Sequence, residues 1–309
     1  MQKIIINQND SGQRLNKFVE KTFPNFPKSA IYKAIRTKKI KINGKRCLPN
    51  SILNLYDIFE IYGFSKFVQI KKNENNLKNS LKVKSKNLLN IIYEDENLII
   101  VNKPSGLISH PKTLNQDSLI YRIWNYLEQD KSLNLKNENS FMPALCNRLD
   151  TNTSGLIVAA KNFCALKFFN ELLKCRKIIK IYCCLAEGVF VKKSDVLINK
   201  LQKNKIKNKV FIFNENCNKN NLKKAILKYS VLEQFKNYAR LEIKLHTGRS
   251  HQIRAQLSFI GHPIIGDYKY GSKIRTKMKL CSNGLFFKTK GTFFDYLNAK
   301  QIKISPNFV

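Results

Sequence analysis

The chain has 309 residues, 43% of them hydrophobic, enough for one large domain beside a small one and too many for a chain disordered throughout. No apolar run reaches the roughly 18 residues of a membrane span, and Met1–Asp10 lacks the charged-then-apolar pattern of a secretion signal, so a cytoplasmic protein without a membrane partner is expected. The net charge of +35 points to a polyanion, of which nucleic acid is the usual one, although a general excess of Lys, Asn and Ile supplies part of that charge.

Residues 1–62 read as a compact unit. An extended start at Lys3–Asn7 leads to Ser11, expected to cap a helix, after which Leu15, Phe18 and Val19 recur at helical spacing. Pro24 and Pro27 interrupt the chain, and Lys28–Lys39 is predicted as a second helix with Ile31 and Ile35 on one side. Its cations Lys28, Lys33, Arg36 and Lys38 lie largely on another side and are the expected RNA contacts of this unit. Asn43-Gly44 signals a hairpin turn because both residues tolerate positive φ, and Asp57–Tyr62 closes the unit as a strand. The run RLNKFVEKTFP, SAIYKAIRTKKIKINGKRC and DIFEIYG resembles an S4-type RNA-binding domain, which implies an αα-hairpin that grips structured RNA through a basic helix face.

Residues 63–87 are polar and Lys/Asn-rich, the composition of a flexible linker. From residue 88 to 309 a second domain is expected. Leu88–Tyr93 and Leu98–Asn102 read as strands around an acidic turn, Gln116–Gln129 as a helix, and Gly155–Ala160 as a buried strand. Asn162–Cys175 reads as a helix burying Leu166, Phe169, Leu172 and Leu173, and Ile178–Ala186 as a strand. Residues 192–224 look like a protruding Lys/Asn-rich hairpin, followed by paired strands at Ala225–Leu232 and Ala239–His246. Strands without regular helix alternation favour an α+β fold, a mixed and mainly antiparallel sheet with flanking helices. Eight cysteines without any Cys-x-x-Cys pair read as free thiols, and neither a metal nor a cofactor motif is present.

Only ten of the 56 basic residues are Arg, and where Lys is the default cation an Arg marks a need for a planar, bidentate donor. Arg148, Arg249 and Arg254 are therefore singled out. Arg148 lies in Asn147-Arg-Leu-Asp150-Thr-Asn-Thr-Ser-Gly155, where an acid stands among turn-forming residues before a buried strand. Taken alone, this run also fits a turn in which Asp150 bonds only backbone amides. Arg249 and Arg254 lie in Leu245-His-Thr-Gly-Arg249-Ser-His-Gln-Ile-Arg254, where Ser250 is expected to cap a helix ending near Gly261 and His251 and Arg254 share a face.

These two runs, with Lys180-Ile-Tyr182 and Asn102-Lys-Pro-Ser-Gly106-Leu-Ile-Ser-His110-Pro, resemble the motifs of the RluA-type pseudouridine synthase family. The family commonly has His where Asn147 stands. The resemblance implies a cofactor-free isomerase of RNA uridine, with Asp150 as catalytic carboxylate, Tyr182 stacked on the base and Arg249 as the partner of Asp150. Arg148, His251 and Arg254 are then RNA contacts. Members with an S4-like unit point to large-subunit ribosomal RNA, and a monomer is expected. An Arg at about 4 Å attracts a carboxylate by on the order of 4 kcal/mol at an effective dielectric of about 20, enough to oppose much of the cost of burying it. A non-catalytic RNA-binding or ribosome-assembly protein would share the charge and the S4-like unit. A nucleoside glycosidase would need a second carboxylate, for which Asp267 is the candidate.

Overall fold

A computed structural model describes residues 1–64, 89–113, 116–130, 138–204, 206 and 208–308. The linker expected at 63–87 falls, after its first two residues, outside the described residues. Among the described residues no helix is long and apolar enough to cross a membrane.

In the N-terminal unit, two helices, α1 (Leu15–Thr22) and α2 (Lys28–Arg36), pack on a small antiparallel sheet. The strands are β1 (Gln2–Ile5), β2 (Ile40–Ile42), β3 (Lys45–Arg46) and β4 (Ile58–Ile61), in the order β1-β4-β2-β3. Leu15, Phe18 and Val19 of α1 and Ile31, Ala34 and Ile35 of α2 are buried, and Phe18 meets Phe59 edge-on at 5.3 Å. Asn43 and Gly44 both take positive φ, 51° and 71°, which closes β2–β3 as the tight hairpin their types allow. Ser11 is not the cap of α1. Its amide is turned onto the Asn7 carbonyl in a tight turn, and the helix begins at Leu15 without a side-chain cap.

Polar contacts join this unit to the rest of the molecule. Asp10 is fully buried and accepts hydrogen bonds from Ser140 Oγ (2.6 Å), the Ser140 amide (3.2 Å) and Asn139 Nδ2 (2.8 Å). Gln13 Nε2 donates to Ser140 Oγ, and Asn9 Oδ1 accepts from the amide of Phe163.

The larger domain is built on one sheet of eleven strands. They are β5 (Ile91–Glu94), β6 (Leu98–Lys103), β7 (Ala144–Leu145), β8 (Ser154–Ala160), β9 (Ile178–Glu187), β10 (Ser194–Asn204), β11 (Lys209–Asn214), β12 (Lys223–Gln234), β13 (Tyr238–Leu245), β14 (Leu280–Phe287) and β15 (Gln301–Lys303). The main path runs β11-β10-β12-β13-β9-β14-β8-β6-β5, with β15 on β14 and β7 on β8. Only β14–β8 pairs in parallel among the described strands; the other pairings are antiparallel. Three helices cover the sheet: α3 (Leu119–Gln129), α4 (Phe163–Lys174) and α5 (Gln252–Phe259). Period-two alternation divides the core. Ile99, Val101, Ile157 and Ala159 face α3 and α5, while Leu98, Ile100, Leu156 and Val158 face α4. Asn162 caps α4 by accepting from the Ala165 amide.

One expectation changes here. Residues 192–224 are not simply an excursion, because β10 bonds to β12 from Ser194↔Ser230 to Leu201↔Lys223 and buries Leu197 and Leu201. The Lys/Asn excess obscures that alternation. In β14, Asn283-Gly284 looks like a hairpin turn in sequence, yet it lies inside a central strand. The register against β9 slips between Cys281 and Gly284, and a Cβ on Gly284 would come within 3.1 Å of Ile181, so the glycine serves a bulge and a close packing contact.

Gly155 opens β8 beside β14 at φ +114°, and a Cβ there would stand 2.3 Å from the Ser282 carbonyl oxygen. Gly155→Ala should therefore destabilise the fold by about 2–4 kcal/mol, read as a lowered thermal midpoint by circular dichroism.

Candidate active site

Asp150 sits in the turn that precedes β8, and four groups from residues 103–109 hold that turn. Ser109 Oγ donates to Leu149 O (3.1 Å), the Gly106 amide to Thr151 O (2.9 Å), Ser105 Oγ to Asn152 O (2.8 Å) and Lys103 Nζ to Thr151 O (3.0 Å). Lys103 is fully buried, and its ammonium also donates to Pro104 O and Leu107 O, so each of its three hydrogens has an acceptor. Burial pushes its pKa down to about 8, against the opposing pull of Asp150, so it remains charged at pH 7. Asn147 braces the turn from the other side. Its Oδ1 accepts from the Val158 amide at 2.8 Å and its Nδ2 donates to Leu156 O at 3.3 Å.

The guanidinium at Asp150 belongs to Arg254. Arg254 Nη1 donates to Asp150 Oδ2 at 2.9 Å, while Nε and Nη2 grip Asp267 at 2.6 and 2.8 Å. Arg249 is not the partner of Asp150. It is exposed at the rim, its amide donates to Gln252 Oε1 and its Nε to Lys224 O. The cause is helix phase. α5 starts at Gln252, and Arg254, on its first turn, projects inward, whereas Arg249 precedes the helix. Ser250 does not cap α5 either; His251 holds the cap position in the left-handed conformation, φ 52°. Burial opposes the charge of Arg254, but Asp267 and then Asp150 raise its pKa, and it is positive at any working pH.

His251 Nε2 lies 3.8 Å from Asp150 Oδ2, and its Nδ1 is 2.9 Å from the Tyr270 hydroxyl. That hydroxyl also accepts from the Val210 amide, which ties His251 to β11. Burial lowers the pKa of His251 despite the pull of Asp150, so the ring is neutral at pH 7. Tyr270 also lies under Arg254, with 5.0 Å from guanidinium carbon to ring centroid. Tyr182 projects from β9 into the same pocket; burial, with the Asp150 charge adding, pushes its hydroxyl up to about 12, which keeps it a neutral phenol. Arg148 and Arg249 stand exposed among the lining residues.

The structure thus brings Asp150, Tyr182, His251 and Arg254 together, with Arg148 and Arg249 at the rim. Lys28, Lys33, Arg36 and Lys38 lie on or just after α2 in the other unit, exposed and without a partner among the described residues. Sequence reasoning missed Lys103, Gln252 and Tyr270, and saw Asp267 only as a possible second carboxylate. The available signals were a lone Lys ending the apolar run Leu98–Val101 and the Gly-Asp-Tyr-Lys-Tyr-Gly run after α5.

A mixed sheet carrying one carboxylate, anchored by a guanidinium in a pocket rimmed with cations, suits an enzyme that acts on an anionic substrate. A family model for RNA pseudouridylate synthase matches residues 97–259, and the chain belongs to that family, whose members convert uridine in RNA to pseudouridine. It is 35% identical over 317 aligned positions to an uncharacterised RNA pseudouridine synthase of Mycoplasma capricolum, covering 100% of this chain and 99% of that one. It is 33% identical to the ribosomal large subunit pseudouridine synthase C of Buchnera aphidicola, over 94% of this chain and 88% of the relative. The solved human RNA pseudouridylate synthase domain containing 4 shares the fold, with a TM-score of 0.55 and 20% identity over 76% of this chain and 94% of that one.

Replacing Arg254 leaves the buried Asp267 carboxylate unpaired, so Arg254→Met should cost about 3–5 kcal/mol in urea unfolding. Arg249→Met, at an exposed position, should stay within about 1 kcal/mol. Lys103 gives a pH signature. Its folded pKa of about 8 lies below the ordinary 10.5, so between these values the unfolded chain binds more protons and this residue makes stability rise with pH. The stability of wild type minus that of Lys103→Met should therefore increase from pH 8 to pH 10.5, and a flat difference would contradict the assignment.

Proposed function

We propose that this chain isomerises uridines of large-subunit ribosomal RNA to pseudouridine, with Asp150 as the acting carboxylate, Tyr182 as the base platform and Arg254 as the partner of Asp150. One observation carries the assignment. Arg254 holds Oδ2 of Asp150, while no described residue hydrogen-bonds Oδ1, and the side chain stays partly exposed in the pocket. The carboxylate is anchored on one oxygen and available on the other. The relatives named as large-subunit synthases C and D support the ribosomal target.

The target uridine leaves its stack at a cost of a few kcal/mol and enters beside Tyr182, whose ring offers about 1–3 kcal/mol of stacking. Asp150 either attacks C1′ or removes the C2′ proton. In both routes the N1–C1′ bond breaks with its electron pair on uracil. The base turns and C5 bonds to C1′ as the Asp150–C1′ ester bond breaks, or, in the second route, as Asp150 returns its proton to C2′; C5 then loses its proton and N1 gains one, so atoms balance without oxidation or hydrolysis. Arg254 presents the carboxylate with a positive charge that does not depend on pH, since its own proton stays bound. His251 supports the same carboxylate from 3.8 Å, and the exposed Arg148 and Arg249 meet the RNA at the rim. The S4-like unit offers Lys28, Lys33, Arg36 and Lys38 to the RNA from outside the pocket. The enzyme acts as a monomer in the cytoplasm on this reading. The glycosidase reading weakens because its second carboxylate, Asp267, is only 2% exposed and occupied by Arg254 at both oxygens.

Incubation with ribosomal RNA tritiated at uridine C5 tests the proposal. Wild type should release tritium and no free uracil. Asp150→Ala should release none and keep its RNA affinity within about threefold, because the lost group acts in the transition state. Tritium release by that variant would refute the role of Asp150.

A further inference from the structure

Beside the Asp150 pocket lies a second cleft, of about 290 Å³, between the C-terminal end of α4 and the adjoining ends of β9 and β13. Its charged lining is cationic, Arg176, Lys180, Lys244 and Lys288, with His246 beside them and no acidic residue among the described lining side chains. Leu245 lines both this cleft and the Asp150 pocket. The loop after β13 runs between them, so Gly248 borders the cleft and Arg249 the pocket.

Lys180 is the unusual member. It is half-buried, two residues before Tyr182 on β9 and in register with Leu245 on β13. Gly248 leaves room for its ammonium, which lies 3.1 Å from where a Cβ would stand on that glycine. Other buried lysines here are satisfied: Lys103 by three carbonyls and Lys161 by Glu94 at 2.8 Å. No described residue accepts a hydrogen bond from Lys180. Burial lowers its pKa, and no neighbouring carboxylate compensates it. Among the cations of the cleft only Lys244 has an acidic neighbour, Glu242 at 3.8 Å. A half-buried ammonium with no acceptor on the described protein is open to an anion that enters the cleft.

We propose that this cleft is a phosphate subsite, in which Lys180 with Arg176 and Lys288 holds a backbone phosphodiester of the RNA strand adjoining the target nucleotide. The inference rests on the proposed RNA substrate. It assigns the strand a path out of the Asp150 pocket, over Leu245 and onto the start of β9. Lys180 is a positioning residue, which fixes the strand so that the flipped sugar meets Asp150.

The test uses full-length protein and an unmodified large-subunit ribosomal RNA transcript, with affinity measured between about 50 and 200 mM salt. Lys180→Gln should weaken binding roughly tenfold. It should also lower the slope of log affinity against log salt by about one. Lys180→Arg should retain the wild-type slope. The thermal midpoint of Lys180→Gln should stay close to that of wild type, because the half-buried ammonium makes no hydrogen bond to a described residue. Tritium release at RNA concentrations well below the dissociation constant should fall with the affinity, roughly tenfold. Lys192→Gln, beyond the far end of β9, is the control for the general field of a chain carrying +35. The subsite is overturned if Lys180→Gln keeps the wild-type affinity and slope, as it would if the cleft took only free phosphate. It is equally overturned if Lys192→Gln lowers the slope as much. Failure of wild type to release tritium would instead refute the proposed reaction, and the binding slopes would still report on the subsite.

Discussion

Arg254 bonds two carboxylates at once, and the geometry of the pocket depends on that arrangement. Two of its nitrogens are committed to the buried Asp267, which leaves one direction for the third, toward Asp150. A lysine could supply the charge but not the fixed fork. Because Asp267 is only 2% exposed, its grip on the guanidinium is little weakened by water or salt. Tyr270 ties this pair to its surroundings. Its ring lies against Arg254, and its hydroxyl joins Val210 of β11 to His251.

The other half of the pocket is held mainly through backbone carbonyls. The turn carrying Asp150 is braced at Leu149, Thr151 and Asn152 by side chains and an amide from residues 103–109, with Asn147 bonded to β8 behind it. Such contacts restrict the turn without consuming the carboxylate. Asp150 can be well positioned and still have a free oxygen, the condition for acting on a bound sugar. An Asn at 147 meets the same need as a His would, since its amide offers both a donor and an acceptor to β8.

Charge acts at two ranges. The net +35 produces a field that draws any polyanion and is damped within about 8–10 Å at ordinary salt. Contacts inside the clefts act below that distance and, on the proposed reading, decide where the strand lies. Most of the Lys side chains serve the first purpose. The few Arg residues near the pocket, and the half-buried Lys180, suit the second. The N-terminal unit is joined to the larger domain through hydrogen bonds of Asp10, Gln13 and Asn9.

Much of this was readable before any coordinates. The helices α1, α2 and α4 are periodic, and periodicity reports which side of an element is buried, while β6 and β8 were legible as short continuous apolar runs of strand length. The acid in the Arg-Leu-Asp run and the Tyr of Lys180-Ile-Tyr182 were legible from local motifs. β14 was not legible, because Asn283-Gly284 carries a turn signature that a bulge in a central strand overrides. Nor was the choice between Arg249 and Arg254, which lie five residues apart in one motif. The sequence by itself determined which chemical groups were available and which segments were amphipathic. Only the tertiary structure decided that Arg254 faces Asp150, because the phase at which α5 begins and the burial of Asp267 depend on contacts between residues far apart along the chain.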